Sequence, residues 1–386
     1  MPGPRARPMA WMVAIAIAVA ALPACNFKRV SATPDASDDD AAMMIDAPDD
    51  GPVIGDASIT WWDRLWPHRR EITIQHTDLV GPVQKFPLLV RLPPGVGPAD
   101  LRFIATDQST ILPHEVDTAD AAGTAVWVRI PDIPNSGPTP VLWVYYGNAS
   151  AIDTSSGAGV FGDLYVSVHH LGALLTDSTG HNHTANAPGN ERPATTAGVV
   201  GEGRDFDGVD NHLDLPQADE TAYDFTTSLT VSAWIRRQDL GTVPYMAIVT
   251  KGDTSWRLHR DNTNAGAGFG TTAGGTNDNL GGSTSIDNNN WHHVAIVFGK
   301  SKKRIFVDGV QDTISNVGMT IDTNDFRVTF GQNEESSMGG KRFWNGDLDE
   351  IRISAAEYDA NWMFAENHQV TDTGFVQIGG EETVPP

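Results

Sequence analysis

The stretch Leu229-Thr230-Val231-Ser232-Ala233-Trp234-Ile235-Arg236 decides the fold class. Apolar and polar residues alternate along it with a period of two, so one face of a β-strand is directed to a core and the other is not. The later stretch 293–298 (HVAIVF) is almost wholly apolar, as expected of a central strand that is covered on both sides. Asp308-Gly309 then supplies the positive φ angles of a type I′ hairpin turn. The sequence predicts antiparallel β-structure here.

The same signals extend outward in both directions. Four further strands are predicted in the first half, separated by turns rich in Gly, Pro and Asn: 71–74 (EITI), 87–92 (PLLVRL), 125–130 (AVWVRI) and 141–146 (VLWVYY). Residues 261–290 are rich in Gly, Asn and Thr and predict strands too polar for a core, whereas 361–366 predicts a short helix. We therefore expect an all-β fold, with a small antiparallel β-sandwich over 59–150, a larger β-sandwich over 151–370 and a tail over 371–386.

The N-terminus has the features of an export signal. Arg5 and Arg7 precede an apolar stretch, 9–22, which has the length of a signal peptide and is short for a membrane span. This stretch ends in Leu22-Pro23-Ala24-Cys25, which resembles the lipobox of bacterial lipoproteins. The resemblance implies that 1–25 is a signal peptide, that Cys25 is acylated, and that the acyl chains hold the protein to a membrane. An ordinary signal peptide followed by a chance cysteine is the alternative.

Residues 26–58 are predicted to be a disordered acidic linker, since 31–56 contains eight Asp and no Lys or Arg. The formal net charge of the chain is −23, which argues against nucleic acid or an anionic membrane surface as a partner. The single cysteine excludes an intrachain disulfide and a cysteine zinc cluster.

Two family resemblances accompany these patterns. The first sandwich resembles DUF2341, a bacterial domain of unknown function, on an ordered set of segments: 61–66, 69–74, 86–92, 100–103, 112–115, 126–131 and 145–148. The second resembles the laminin-G-like, concanavalin A-like lectin/glucanase jelly rolls on 168–171, 177–182, 206–211, 229–235, 251–252, 291–295, 306–309 and 346–353. Phe306 stands where that family more often has Tyr. The second resemblance implies a jelly-roll β-sandwich.

Calcium is the metal that the sequence predicts, as a structural ion. Asp177 and Asn182 lie in a tight Ser-Thr-Gly loop, and loop-borne oxygen ligands suit calcium. The resemblance to the jelly rolls implies that Asp177 and Asp349 share one ion, with Asp207 and Asp210 as further candidates. The alternative is that Asp207 only forms a turn and that Asp349 only caps the edge of the sandwich.

Catalysis and zinc binding are both expected to be absent. Laminarinase-like relatives carry Glu-x-Asp-x-x-Glu on one strand, and Asp347-Leu348-Asp349-Glu350 lacks that spacing, with Glu350 predicted to point away from the face that Asp347 and Asp349 share. A zinc site was weighed against ordinary packing for six histidines, with packing favoured: His169, His170, His181, His183, His292 and His293.

The resulting hypothesis is a non-catalytic, exported lipoprotein on the bacterial outer membrane or cell surface. We expect lectin-like or adhesive binding of a polysaccharide or glycoprotein, with Trp256, Phe343 and Trp344 as ligand contacts. The cluster Trp61, Trp62 and Trp66 is either a sugar-stacking platform or a plug at the end of the first sandwich, and a plug is favoured. A structural or scaffolding lipoprotein that binds other proteins is the rival hypothesis.

Overall fold

The structure is a computed structural model that describes residues 60–237, 244–262, 265–316, 320–335 and 341–386. Cys25, the predicted signal peptide and the predicted linker lie outside this range. The elements of the first half are β1 (His68–Ile74), β2 (Val83–Leu92), β3 (Arg102–Ile104), β4 (Ile111–Leu112), β5 (His114–Asp120), β6 (Gly123–Ile133) and β7 (Val141–Tyr146). All four strands predicted in this half are present.

The second half contains strands β8 to β22 and three short helical segments. In chain order they are α1 (Gly157–Phe161), β8 (Ser167–His169), β9 (Ala194–Ala197), β10 (Glu202–Asp207), β11 (Leu213–Asp214), a 3-10 helix (Gln217–Tyr223), β12 (Leu229–Arg236), β13 (Ala247–Thr250), β14 (Trp256–Arg260), β15 (Ala267–Ala273), β16 (Thr276–Gly281), β17 (Trp291–Gly299), β18 (Lys302–Val307), β19 (Val310–Asn316), β20 (Thr329–Phe330), β21 (Asn345–Ser354), α2 (Ala360–Thr371) and β22 (Val376–Thr383). The fold is all-β, as predicted.

The first sandwich is built from two antiparallel sheets. A five-stranded sheet has the order β22-β1-β7-β3-β4, and a three-stranded sheet has the order β2-β6-β5. Residues 371–386 were predicted to be a tail, but they include β22. This strand pairs along β1 and puts His68 opposite Thr383. Residues at the far end of the chain therefore complete the sandwich that begins near residue 60.

The second sandwich has a larger pair of sheets. Seven strands follow the order β19-β18-β17-β12-β21-β10-β9, with β8 also pairing with β21, and the facing sheet has the order β11-β20-β13-β14-β15-β16. Leu229 to Arg236 forms β12 over its full predicted length, and it pairs with both β17 and β21. The hairpin between β18 and β19 turns at Asp308 and Gly309, whose φ angles are 50° and 79°.

The prediction that the strands of residues 261–290 are too polar for a core was wrong for β15. The polar stretch 261–290 includes β15, and every residue of β15 is buried. Its sequence, AGFGTTA, consists of small residues around Phe269, which joins the core between the two sheets. Small side chains allow a polar-looking strand to be covered on both faces, because they leave room for neighbouring side chains to lie across them.

A β-bulge in β21 corrects a second prediction. Trp234 of β12 faces Asp349, but Ser232 faces Arg352, so β21 contains one extra residue at this point. Glu350 has the φ angle of 48° that such an insertion requires. Leu348 and Ile351 both belong to the inter-sheet core, and Asp349 and Glu350 between them both lie on the opposite face. The predicted alternation, with Glu350 pointing away from Asp349, therefore fails.

Helix α2 joins the two sandwiches. Asp359 caps its first turn by accepting a hydrogen bond from the amide of Trp362, at 3.0 Å. The Trp362 ring packs edge-on against Phe86 of β2, and the same apolar cluster includes Val297 and Phe306 on the outer face of the larger sheet. The chain from Ile59 to Pro386 is consequently one compact unit. In the part of the chain that the structure describes, no helix has the length and apolar character needed to cross a membrane.

Candidate functional site

Asp177, the first predicted calcium ligand, is held by the backbone of its own loop. Its Oδ1 accepts hydrogen bonds from the amides of Val168 at 3.1 Å and Thr179 at 3.0 Å, and its Oδ2 accepts one from the amide of His183 at 3.1 Å. Asn182 lies in the same loop, exposed, with a φ angle of 67°.

Asp349, the second predicted ligand, binds a different segment. Its Oδ2 accepts from the amides of Val199 at 2.7 Å and Val200 at 3.2 Å, and its Oδ1 accepts from the amide of Glu350 at 2.9 Å. Burial raises the pKa of Asp349 well above its usual range, and the adjacent Glu350 carboxylate raises it further.

The predicted residues do not fit one calcium site. Two groups of three metal-binding side chains occur among the described residues: Asp177 with His181 and His183, and Asp117 with His170 and Glu350. Neither group includes Asp349, Asp207 or Asp210. Calcium needs six to eight oxygen ligands, and Asp177 instead has two imidazoles beside it. Calcium binding stays a prediction that these positions do not support.

Asp207 and Asp210 lie in a tight, exposed turn after β10. The Oδ1 atom of Asp207 accepts hydrogen bonds from the amides of Val209 at 2.9 Å, Asp210 at 3.2 Å and Asn211 at 3.2 Å. This is the turn that the sequence analysis gave as the alternative, and Asp207 has the local role of closing it.

Two of the three predicted ligand contacts are core residues. Trp256 and Trp344 are fully buried between the sheets, and the Trp256 indole N–H donates to the carbonyl of Tyr223 at 2.9 Å. The prediction that they offer flat faces to a ligand was therefore wrong. Phe343 is half-buried, with its ring centre 6.1 Å from that of His212.

The tryptophans at the start of the first sandwich have the packing of a plug. The ring of Trp61 meets that of Tyr145 edge-on, and the guanidinium of Arg69 lies 4.6 Å from its centre. The Trp66 ring lies against Trp62, and its N–H donates to the carbonyl of Asp100 at 2.6 Å. Trp66 belongs to a small buried cluster with Ile104, Trp143 and Tyr145, and Trp61 and Trp62 pack against it partly buried, which favours packing over an open platform.

Neighbouring histidines of the sequence separate in the structure. His169 is fully buried against Phe330, whereas His170 is bonded to Glu350. The His292 ring bonds to Asp308, while His293 faces Glu366. His181 and His183, by contrast, both direct Nδ1 at the carbonyl oxygen of Val166, each at 3.0 Å.

The outer face of the six-stranded sheet carries a polar cluster that the sequence analysis missed. Trp256 and Leu258 of β14 point into the core, so Arg257 and His259 point to the other side. Gly268 and Gly270 of β15 lie directly opposite them, and a Cβ at either glycine would clash with the His259 imidazole or the Arg257 guanidinium. Both side chains therefore lie directly over the glycine backbone of β15.

Asp253 organises this cluster. Its Oδ1 accepts from Arg342 Nη1 at 2.9 Å and from Asn333 Nδ2 at 2.9 Å, while its Oδ2 faces Arg342 Nη2 at 3.3 Å. Arg257 Nη1 donates to the Asp253 carbonyl at 3.0 Å. The Tyr245 ring lies beside this group: its centre is 5.7 Å from the centre of the His259 ring and 5.6 Å from Cζ of Arg342. We call this set the Asp253 face: Tyr245, Asp253, Arg257, His259, Asn333 and Arg342.

Three buried polar atoms of the Asp253 face have no hydrogen-bond partner among the residues that the structure describes: both ring nitrogens of His259 and Oδ1 of Asn333. Nε of Arg257 makes no hydrogen bond there either, but it lies 3.5 Å from Oδ1 of Asp253 as an ion pair. Burial lowers the pKa of His259 to about 3, so its imidazole is neutral and presents one donor and one acceptor. Because buried polar groups are normally satisfied, this concentration of unmet donors and acceptors indicates a place where a polar ligand binds.

Comparison with known families agrees with the two sandwiches. Residues 207–361 match the model of the concanavalin A-like lectin/glucanases superfamily, and residues 97–165 match the domain of unknown function DUF2341. The chain carries a concanavalin A-like domain. The match covers strands β11 to β21 and so includes the whole Asp253 face. A comparison with curated proteins finds no match to the chain.

Three similar solved structures give low scores for this chain. The binding domain of Paraclostridial Mosquitocidal Protein 1 is 16% identical with a TM-score of 0.45, covering 55% of this chain and 53% of that one. Domain 4 of AbnA, a GH43 extracellular arabinanase from Geobacillus stearothermophilus in complex with arabinotriose, is 17% identical with a TM-score of 0.43, covering 52% and 97%. A botulinum neurotoxin type C structure, concerned with cell entry through two ganglioside molecules, is 15% identical with a TM-score of 0.42, covering 54% and 52%. This chain spans about half the length of the first of them.

A sequence signal for the Asp253 face existed. The alternation Trp256-Arg257-Leu258-His259 assigns Arg257 and His259 to one face, and the alternation Gly268-Phe269-Gly270 clears space beside them. Within the concanavalin A-like domain this face combines carboxylate and amide acceptors, guanidinium donors and one half-buried aromatic ring. That combination suits a ligand with several neighbouring hydroxyl groups and an apolar ring face.

Proposed function

We propose that this protein is a lipid-anchored, non-catalytic glycan-binding protein of the bacterial envelope, and that the glycan binds at the Asp253 face. One observation carries the proposal: among the described residues, His259 and Asn333 hold buried polar atoms without partners, next to the partly exposed carboxylate of Asp253 and ring of Tyr245. Sugar hydroxyls donate and accept, so they satisfy such a mixed set, and the Tyr245 ring can pack on the apolar face of a pyranose.

The chemistry of the face favours a neutral glycan. Both oxygens of Asp253 are directed at Arg342, and the carboxylates of Asp253 and Glu335 both act on Arg257, so two carboxylates offset the two guanidinium charges. The chain as a whole has a net charge of −23, which repels polyanions at long range. We therefore propose a neutral polysaccharide, or the neutral sugars of a glycoprotein, as the ligand.

The absence of catalysis is part of the proposal. Asp347 of β21 is directed at Arg236, with Oδ2 at 2.5 Å from Nε, and Asp349 is bonded to backbone amides. These acidic side chains are fully buried and engaged in the fold, whereas a retaining glycosidase needs two carboxyl groups about 5 Å apart that reach a substrate.

Glycan binding is tested with the full-length protein, extracted from membranes in detergent and applied to an array of neutral oligosaccharides. Tyr245→Ala should weaken binding about two- to twelvefold, since an aromatic packing contact contributes roughly 0.5–1.5 kcal/mol. Trp61→Ala tests the rival platform in the first sandwich and should leave binding unchanged. Binding that survives Tyr245→Ala and is lost in Trp61→Ala would move the site to the first sandwich.

Anchoring is tested separately through Cys25. The proposal predicts that intact protein carries acyl chains at Cys25 and fractionates with membranes, and that Cys25→Ser is released or remains unprocessed. Mass spectrometry of the mature N-terminus decides this, because each acyl chain adds a defined mass.

A scaffolding function is the second candidate, and one observation favours it. A groove of about 860 Å³ runs between β2, the end of α2 and β22, and β22 is an edge strand that is mostly exposed. Exposed edge strands are sites where a partner can add a strand. Cross-linking in intact cells separates the two functions, since a fixed protein partner supports scaffolding and competition by soluble glycan supports lectin-like binding.

A further inference from the structure

The loop that follows β8 directs two imidazoles at one carbonyl oxygen. Nδ1 of His181 and Nδ1 of His183 each lie 3.0 Å from the carbonyl oxygen of Val166. Gly180 and Asn182, on either side of His181, have φ angles of 81° and 67°, and these turns bring both rings to the same side of the loop. The ring centres are 5.8 Å apart.

A carboxylate completes this group. Oδ2 of Asp177 lies 3.9 Å from Nδ1 of His183, and one ligand atom from each of Asp177, His181 and His183 falls within 4.8 Å of the others. Backbone amides fix the orientation of Asp177, as described above. The ring of His183 packs against Tyr223, 5.3 Å between centres, which fixes that imidazole too. The donor set is therefore oriented by the fold.

The spacing is that of a tetrahedral metal site. Ligand atoms about 2.0–2.1 Å from a tetrahedral zinc ion lie about 3.3 Å from one another. Each Nδ1 lies 3.0 Å from the Val166 carbonyl oxygen, Nδ1 of His183 lies 3.9 Å from Oδ2 of Asp177, and the three side-chain ligand atoms fall within 4.8 Å of one another. These separations are close enough to the tetrahedral value for side-chain movement to bring the donors to one ion. His181 is exposed, which leaves a path for the ion from solvent.

The chemistry of the donors selects the metal. Two imidazole nitrogens, one carboxylate and one carbonyl suit zinc, whereas calcium and magnesium prefer oxygen ligands throughout. We propose that Asp177, His181 and His183, with the Val166 carbonyl, bind one Zn²⁺ ion. This inference is independent of the proposed glycan face and replaces the predicted pairing of Asp177 with Asp349.

The second group of metal-binding side chains does not compete for this assignment. His170, in the group with Asp117 and Glu350, has one ring nitrogen directed at Glu350, at 2.6 Å, and the other at Glu115, at 3.3 Å. Its imidazolium already supplies the positive charge that these carboxylates require. The loop of His181 and His183 has no such internal cation among its described contacts.

The zinc ion would stabilise the contact between the two sandwiches. Ser178 of this loop donates to Oε1 of Glu115 in β5 at 2.9 Å. The loop also lies close against α1, since a Cβ on Gly157 would clash with the Ser178 carbonyl and one on Gly180 with the Ala158 side chain. An ion that holds the loop to Val166 would therefore also hold the contacts of this loop with β5 and α1.

The test uses full-length protein in detergent that has been stripped of metal with a chelator and dialysed. Isothermal titration with ZnCl₂ should show one site of micromolar or tighter affinity, and CaCl₂ should show none at this loop. At a zinc concentration a hundred times the Kd, the Tm should rise by about 4 °C. Co²⁺ in place of zinc should give the visible absorption bands of a tetrahedral nitrogen and oxygen site.

Variants assign the ion to the loop. His181→Gln should weaken zinc binding at least tenfold, and His181→Gln with His183→Gln should abolish it, while His68→Gln is the matched control and should bind as the wild type does. The exposed side chain of His181 makes its single variant decisive even where the double variant folds poorly. The inference is overturned by absence of zinc binding, by equal affinity of His181→Gln and wild type, or by calcium binding with the same affinity at the same residues.

Discussion

His170 Nδ1 and Glu350 Oε1 lie 2.6 Å apart at the boundary between the two sandwiches. Asp117 Oδ2 is 3.5 Å from the same ring nitrogen, and the Trp127 ring stacks on the imidazole with centres 5.9 Å apart. Burial on its own would lower the pKa of His170, but Glu350 and Asp117 outweigh it and raise that pKa well above its usual value. A buried imidazolium thus links strands of both sandwiches.

We expect His170→Gln to destabilise the protein by about 3–5 kcal/mol, since it leaves buried carboxylates without their cation. The raised pKa fixes the sign of the pH dependence. The stabilisation by the His170 imidazolium is complete below about pH 6.5, which is the pKa of histidine in the unfolded chain. It is lost as the pH rises through the pKa of His170 in the folded state. The difference in Tm between wild type and His170→Gln should therefore be largest below about pH 6.5 and shrink as the pH rises through the folded-state pKa of His170. His368→Gln, in α2, is the control, and a difference that does not change with pH would contradict the assignment.

His114 predicts the opposite pH dependence. It is buried against Phe103, and burial, together with Arg102, lowers its pKa to about 4. Stability from a lowered histidine pKa is present above about 6.5 and is lost as the pH falls toward 4, at most about 3 kcal/mol for this shift. Between pH 6.5 and pH 4, the Tm of His114→Phe should fall less than the Tm of the wild type. Parallel pH profiles would show that His114 does not titrate in this way.

Asp349 should tolerate loss of its charge but not loss of its oxygens. Its carboxyl accepts three backbone amides, and its raised pKa favours the neutral acid. Asp349→Asn keeps one acceptor oxygen and leaves the amides at the other position unpaired, whereas Asp349→Ala leaves all three buried amides unpaired at about 1–3 kcal/mol each, so Asp349→Asn should cost less. Urea denaturation of the two variants measures this difference. Equal destabilisation by both would favour a role that depends on charge.

Gly270→Ala should disturb the Asp253 face from below. The added Cβ would clash with the Arg257 guanidinium that now lies across the glycine, so Arg257 must move. We expect glycan affinity to fall at least fivefold, with a smaller effect on Tm. Gly97→Ala is the matched control, because a Cβ there meets nothing within 4 Å. Unchanged affinity in Gly270→Ala would remove Arg257 from the binding face.

The sequence predicted the sandwich elements well because period-two alternation is a local property. The bounds of β12 and the turn at Asp308 follow from residues that are adjacent in the chain. The bulge at Glu350 was missed because its cause is long-range: the extra residue is specified by two partner strands and by the imidazole of His170. The prediction of exposed Trp256 failed for the same reason, since one strand does not show which of its faces meets the second sheet.

The candidate sites were less predictable than the fold. Calcium at the loop of Asp177 stays a prediction, and its pairing with Asp349 follows from the resemblance alone. His181 and His183 were favoured as packing residues, and only the structure brings their ligand atoms close to Asp177. The Asp253 face was missed because Asp253, Asn333 and Arg342 come together only through pairing across the sheet. Gly268 and Gly270 contributed to the prediction of polar strands over 261–290. In the structure they make space for the side chains of His259 and Arg257.

The pairing of β22 with β1 has a consequence for how the molecule is made. During synthesis the first 150 residues emerge long before their partner strand, so β1 must wait with one edge open until the last strand has been translated. A chain that has not yet reached β22 therefore lacks one strand of the five-stranded sheet, and a truncation after residue 150 should not yield the first sandwich as an autonomous module. The span from β1 to β22 is expected to fold as one unit.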